Sequence, residues 1–310
     1  MRKHIKIGTR GSKLALCQAR WVGSSLQAKH PFLSVELITF KTTGDKILGA
    51  PLARLGGKGL FVKEIEQALL KGRIDLAVHS MKDMPSFVPT GLCIGSIPER
   101  ETPLDAMISK TGRRFFELKP GARIGTSSLR RAAQLRFSRP DVEIVPLRGN
   151  LDTRLRKLET ENLDAIVVAA AGMKRLGIED RITEYLKESV MLPAVGQGAL
   201  CIEIRSDDTE TQKLVRALEH QETKAAVLGE RAFSSRLAGS CQVPIACHGT
   251  LKQSIFTLQG LVSNLAGTEV VKDTLSGKIE HNEQIGIALA ERLLAMGAGD
   301  ILKKLTAGTQ

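Results

Sequence analysis

Lys6-Ile-Gly-Thr9 returns later in the chain as Arg123-Ile-Gly-Thr126, and each copy runs into a serine-bearing helix start, Arg10-Gly-Ser12 and Ser127-Ser128. A second echo follows the same order: Arg73-Ile-Asp-Leu-Ala-Val78 returns as Asn162-Leu-Asp-Ala-Ile-Val-Val-Ala169, each copy behind a charged amphipathic stretch. The repeat is too degenerate for a solenoid. It predicts two α/β lobes of similar plan, each built from strands that feed helices through short polar turns. Such a turn leaves free backbone N–H groups above the strand end, a favourable place for an anion.

Outward from these segments, Ile5–Thr9 and Val35–Thr42 read as strands. Between them Leu14, Leu16, Cys17, Trp21 and Leu26 recur at helical spacing behind Ser12, a suitable N-cap. Gly56-Gly-Lys-Gly59 lacks the Ser or Thr that must follow the lysine of a nucleotide P-loop, so that reading is rejected. The surrounding Gly/Pro-interrupted stretch reads either as a flap carrying Arg54 and Lys58 or as a plain flexible loop. Phe61–Leu70 is a helix by its Phe61, Ile65, Leu69 spacing. Asp75–Val78 is a short buried strand whose carboxyl end carries Ser80, Lys82 and Asp83, where open α/β sheets hold their ligands. Asp83 is a lone carboxylate among cations, either ion-paired with a neighbour or kept for chemistry.

The second lobe holds the densest cationic set. Thr126-Ser-Ser-Leu-Arg-Arg131 puts hydroxyls and two guanidiniums at a helix start, where arginine opposes the helix dipole and a bound anion would compensate. Arg148 stands at a strand end with Arg154 on the helix that follows, and Arg175 comes after the apolar run Ala169–Met173. Gly196-Gln-Gly198 lacks the third glycine of a dinucleotide fingerprint and precedes a strand, so it reads as a return crossing. Ala225–Leu237 is a helix that ends at Ser240-Cys241-Gln-Val-Pro244, a turn whose cysteine either packs or reacts. From Ile245 three strands and two helices form an α+β domain of their own.

Composition narrows the partners. The 310 residues carry 42% hydrophobic and 25% charged side chains and a formal net charge of +12, which suggests a polyanionic partner. Aromatic residues are 4%, too few for stacking platforms on single-stranded nucleic acid, and no nucleic-acid-binding motif is visible. Small ligands bearing several carboxylates or phosphates fit better. The longest apolar run, Ala165–Met173, is too short to span a bilayer, and the amino terminus reads as a first strand without a targeting segment. Five cysteines (17, 93, 201, 241 and 247) without a CxxC pair disfavour disulfides and zinc and fit a reducing cytosol.

Seven motifs in order, Gly8–Leu16, Gly56–Lys63, Val78–Asp83, Ile124–Arg131, Leu147–Asn150, Leu192–Ala199 and Cys241–Ala246, resemble the porphobilinogen deaminase (hydroxymethylbilane synthase) family from about residue 5 to 305. The resemblance implies an α/β fold of two periplasmic-binding-protein-like lobes plus a C-terminal α+β domain. It places lobe 1 at residues 1–99 and 196–218, lobe 2 at 100–195 and the third domain at 219–310. It further implies a dipyrromethane cofactor held by a thioether to Cys241, and a transferase that joins four porphobilinogen units head to tail with loss of ammonia. Water then releases hydroxymethylbilane, which passes to a downstream enzyme. Asp83 would hydrogen-bond pyrrole N–H groups, stabilise the cation formed as ammonia departs and assist proton transfer. Arg10, Ser12, Ser80, Lys82, Thr126, Ser127, Ser128, Arg130, Arg131, Arg148, Gly149, Arg154, Arg175 and Gln197 would bind cofactor or substrate, with Lys58 on the flap. A cytoplasmic monomer without metal, nucleic acid or membrane is expected. Lys13, Arg54 and Ser240 depart from the common pattern of proline, lysine and glycine at those positions.

Overall fold

The computed structural model describes residues 2–46, 59, 61–237 and 243–307, so Arg54, Lys58 and Cys241 lie outside the described residues. The chain divides into two compact units, residues 1–101 with 198–224, and residues 102–197 with 225–310.

In the first unit β1 (His4–Arg10), α1 (Lys13–Lys29), β2 (Ser34–Phe40), α2 (Thr43–Lys46), α3 (Lys63–Leu70), β3 (Leu76–Ser80) and β4 (Leu92–Ser96) succeed one another. The much later β10 (Leu200–Arg205) inserts between β3 and β4, giving the sheet order β2-β1-β3-β10-β4. β1 runs parallel to β2 and β3, whereas β10 is antiparallel to both its neighbours. Ile5, Ile7, Leu76, Val78, Ile202 and Ile204 bury one face against Ala19, Val22 and Leu26 of α1. α7 (Thr209–Val215) adds Leu214 and Val215 to that core, with Asp208 capping its first turn.

The second unit repeats the plan. β5 (Asp105–Ser109), β6 (Arg123–Gly125), α4 (Leu129–Ser138), β7 (Glu143–Val145), α5 (Leu151–Thr160), β8 (Ala165–Ala169), α6 (Ala170–Arg175) and β9 (Glu184–Leu186) form a sheet of order β7-β6-β8-β5-β9. β6 is parallel to β7 and β8, and the earlier β5 is the antiparallel insert. β1 and β6 therefore hold one place in the two sheets and β3 and β8 another, the same pairs that echo in sequence. β4, β5 and β9 have no counterpart in the sequence reading: β4 and β5 are short, largely buried strands without alternation, and β9 is three residues long.

The second unit also contains a three-stranded antiparallel sheet, β11 (Ile245–Lys252), β12 (Ile255–Ser263) and β13 (Val270–Lys278), in meander order. α8 (Gln221–Arg236), α9 (Asn282–Leu293) and α10 (Gly299–Ala307) complete this part, as the expected α+β portion requires. Phe233, Phe256, Leu258, Leu289 and Leu293 fill its core. Two polar ties join it to the β9–β10 connection. Glu230, fully buried on α8, accepts the Gly196 N–H at 2.6 Å and the Gly249 N–H at 2.9 Å with its two oxygens. His248 Nδ1 lies 2.8 Å from Glu188. Glu230→Leu removes an acceptor from two backbone N–H groups and is expected to cost about 1–3 kcal/mol for each one left unpartnered, read by denaturant unfolding.

Candidate active site

Parallel strands end at one edge of a sheet, and in the first unit that edge gathers most of the residues expected there. Arg10 closes β1 with its guanidinium carbon 4.3 Å from the centroid of the Phe61 ring, a cation–π contact that fixes its direction. Ser12 caps α1 by accepting the Ala15 N–H at 3.3 Å. Ser80, the last residue of β3, accepts a hydrogen bond from Gln18 Nε2 at 3.1 Å. A 3₁₀ turn, Met81–Asp83, follows at once, held by Met81 N–H to the Ala199 carbonyl and Met84 N–H to the Met81 carbonyl. That turn leaves Asp83 exposed and Lys82 half-buried. Arg10, Ser12, Ser80 and Asp83 line one cleft together with Gln18, Phe61 and His79, which the sequence reading did not single out as site residues.

Beneath the cleft lies a buried acidic cluster that no motif announced. His79 Nε2 is 3.0 Å from Glu203 Oε2, the two side chains being 3% and 0% exposed. The register pairs His79 with Cys201 and Ala77 with Glu203, so His79 and Glu203 are diagonal neighbours on one face of the sheet. Glu66, buried on α3, completes the group, and Glu66 Oε1 and Glu203 Oε1 are both buried without a hydrogen-bond partner. Burial, reinforced by the charge of Glu203 and opposed by His79, raises the Glu66 carboxyl to about 7. The Cys93 thiol on β4 is pushed up by burial and by the same Glu203 charge.

In the second unit the same edge is cationic. Thr126, at the end of β6, accepts the Ser128 N–H at 3.2 Å, and Ser128 in turn caps α4 by accepting the Arg131 N–H. Ser127 is exposed between them. Arg130 and Arg131 turn inward, 6% and 5% exposed, where propensity alone would set such long charged chains in water. Both bind Asp105, the fully buried first residue of β5: Arg131 Nε at 2.7 Å, Arg130 at 2.8 and 3.1 Å. Arg130 also donates to the Leu192 carbonyl at 2.7 Å and Arg131 to the Val167 carbonyl at 3.0 Å. Burial pulls the Arg131 guanidinium below its ordinary value, Asp105 opposes that shift and Arg130 adds to it. Arginine does not give up its proton in proteins, so the strain persists as local positive charge.

Arg148 and Gly149 follow β7. Gly149 has φ +114°, and a Cβ there would lie 2.6 Å from Thr153, so the turn accepts only glycine. Its carbonyl receives Arg154 Nε at 2.8 Å, and Asn150 caps α5 by accepting the Thr153 N–H at 3.0 Å. Arg175 ends α6, after β8. Thr126, Ser128 and Arg148 thus stand at the carboxyl ends of β6 and β7, and Arg175 lies one short helix beyond that of β8. Gln197 stands apart, fully buried and donating to the Pro103 carbonyl at 2.6 Å. Lys58 and Cys241 lie outside the described residues. No group of three or more metal-ligating side chains and no helix able to cross a membrane occurs among the described residues.

Comparison with known proteins decides the family. A family model described as porphobilinogen deaminase, dipyromethane cofactor binding domain, matches residues 5–213, and one described as porphobilinogen deaminase, C-terminal domain, matches residues 224–295. The chain belongs to the porphobilinogen deaminase family. Similar porphobilinogen deaminases include that of Syntrophotalea carbinolica, 55% identical over 97% of this chain and 96% of its own. Another is that of Geobacter metallireducens, 54% identical over 98% of this chain and 95% of its own. Among solved structures, a probable amino-acid ABC transporter extracellular-binding protein of Bacillus subtilis covers 70% of this chain and 91% of its own, at 11% identity and a TM-score of 0.44. The assignment to the porphobilinogen deaminases owes nothing to that weaker likeness. The donor set of the second unit fits the dipyrromethane for which its family domain is described. The ion pairs of Arg130 and Arg131 both end on Asp105, two guanidiniums on one carboxylate, and the first turn of α4 holds no acidic residue. A ligand rich in carboxylates supplies the missing negative charge.

Two expectations follow from the buried charges. A carboxyl raised from 4.5 to about 7 in the folded protein binds a proton that the unfolded chain has already released. Stability should therefore fall as pH rises from about 4.5 to about 7 and level off above. Glu66→Gln is expected to abolish this fall and to melt higher than the parent at pH 8, with little difference at pH 4.5, in thermal unfolding. Asp105→Ala leaves two buried guanidiniums without their carboxylate and is expected to cost about 3–5 kcal/mol in denaturant unfolding.

Proposed function

We propose that the chain is a transferase that deaminates four porphobilinogen molecules, joins them head to tail on a covalent dipyrromethane primer and releases hydroxymethylbilane by hydrolysis. The observation that carries this reading is the pairing of one exposed carboxylate, Asp83, with cations and hydroxyls at the carboxyl edges of parallel strands. Each pyrrole brings an acetate and a propionate, so a growing chain is a polyanion built on N–H-bearing rings.

The residues divide the work by chemistry. Arg10, Ser12, Ser80 and Lys82 of the first unit take substrate or primer carboxylates, as do Thr126, Ser127, Ser128, Arg148, Arg154 and Arg175 of the second. Arg130 and Arg131, held by Asp105 and the carbonyls of Leu192 and Val167, contribute positive charge, and their burial strengthens each charge-assisted bond. Gly149 lets the backbone turn beside Arg148, Gln197 steadies the loop of Pro103, and Lys58 adds a positive charge. Asp83 accepts pyrrole N–H groups and balances the positive charge that develops as ammonia departs. Cys241 carries the primer through a thioether; once bound, the dipyrromethane supplies a free pyrrole carbon from which the product grows. The enzyme works as a cytoplasmic monomer without a metal and passes its product to a downstream enzyme.

Intact-mass measurement of freshly purified protein tests the reading: the chain should weigh more than its sequence by one dipyrromethane, and Cys241→Ala should weigh the sequence alone. Asp83→Asn should keep the added mass and lose nearly all porphobilinogen consumption. A fully active enzyme with no added mass, or an Asp83→Asn variant with ordinary turnover, would overturn the corresponding assignment.

A further inference from the structure

The acidic cluster under the cleft has no part in binding carboxylates, and it is costly to keep. Two buried carboxylates each hold an unpartnered oxygen, with a single imidazole between them and the cleft. Buried polar atoms are ordinarily satisfied, and an unsatisfied one marks either a strained site or a working one. His79 lines the cleft beside Ser80 and Asp83 while its Nε2 faces Glu203. That is the arrangement in which a carboxylate fixes an imidazole's orientation and tautomer. With Nε2–H donated to Glu203, Nδ1 is left as the ring's accepting nitrogen.

We propose that His79, oriented by Glu203 and backed by Glu66, is a proton-holding residue of the deaminating cleft, distinct from Asp83. The proposal rests on the condensation reaction described above. In each addition the aminomethyl C–N bond breaks, and its electron pair leaves on nitrogen. A C–C bond forms from the electrons of a pyrrole ring, and the attacked ring carbon then loses its proton, the C–H pair restoring aromaticity. One proton passes from carbon to the departing nitrogen, which leaves as ammonia, and nothing is oxidised or reduced. Asp83 sits on the exposed turn and is assigned to the ring N–H groups; His79 offers a second, sheltered place for that proton in transit.

The ionisable groups facing Glu203 are His79 from β3, Glu66 from α3 and Cys93 from β4. Burial raises the Glu66 carboxyl to about 7, so the charge behind the imidazole changes near neutral pH. Glu203 and Glu66 are positioning residues here, acting through His79.

Two measurements test this. Histidine ¹⁵N spectra of the purified holoenzyme, assigned with His79→Gln, should show His79 as the Nε2–H tautomer, and Glu203→Gln should remove that preference. An Nδ1–H tautomer in the parent, or one unmoved by Glu203→Gln, overturns the proposal without any activity being read. Steady-state kinetics should show kcat of His79→Gln at least tenfold down with KM for porphobilinogen within twofold. Glu66→Gln should flatten the change in kcat across pH 6–8; an unaltered pH profile counts against the part given to Glu66. Unchanged kcat in His79→Gln, with the primer mass present, refutes the role of His79. Should His79→Gln fail to fold or to load primer, the parent spectra and the Glu66→Gln profile decide. Failure of the parent to consume porphobilinogen would instead refute the condensation itself.

Discussion

Positive charge that cannot be discharged is buried at the start of α4, and much of the second unit is arranged around it. A guanidinium keeps its proton even in a dry setting, so Arg130 and Arg131 must be met by anions or acceptors. One carboxylate, Asp105, reaches both, and the carbonyls of Leu192 and Val167 take further donors. Asp105 can do so because β5 enters the sheet antiparallel, beside β8, which brings its first residue opposite Ala169 at the carboxyl edge. Two guanidiniums against one carboxylate leave this edge with net positive charge. Ser128 and Thr126 add hydroxyls to it, and α4 adds the dipole of its amino terminus.

The first unit uses the same topology with the opposite sign. Its antiparallel insert, β10, sets Glu203 opposite Ala77, deeper in the sheet than Asp105, which β5 sets opposite Ala169 at the end of β8. Around Glu203 are a second carboxylate and a single imidazole rather than two guanidiniums. One sheet edge gathers guanidiniums and hydroxyls, and the other combines Arg10 and Lys82 with an exposed carboxylate, Asp83, above His79, Glu203 and Glu66.

The C-terminal portion has a simpler role. Its meander sheet packs on α8 and α9, and Glu230 ties β11 to the Gly196 turn through backbone N–H groups that a hydrophobic side chain could not satisfy. Phe233 on α8, Leu237 just after it and Ile245 at the start of β11 are all buried.

Local chemistry determined a good deal on its own. The paired motifs at Lys6–Thr9 and Arg123–Thr126 announced two sheets of one plan, and Ser12 was legible as a cap because a serine before an apolar-periodic run has a single common use. The placement of Arg10, Asp83 and Arg148 at strand ends followed from where each strand had to stop. Only the tertiary structure decided what the charges meet. Asp105 is 25 residues from Arg130, and Glu203 is 124 from His79, and neither pairing has a periodicity or a spacing to betray it. Each depends on which strand inserts between two others, and that choice is made by burial across the whole sheet rather than by any neighbour in the chain.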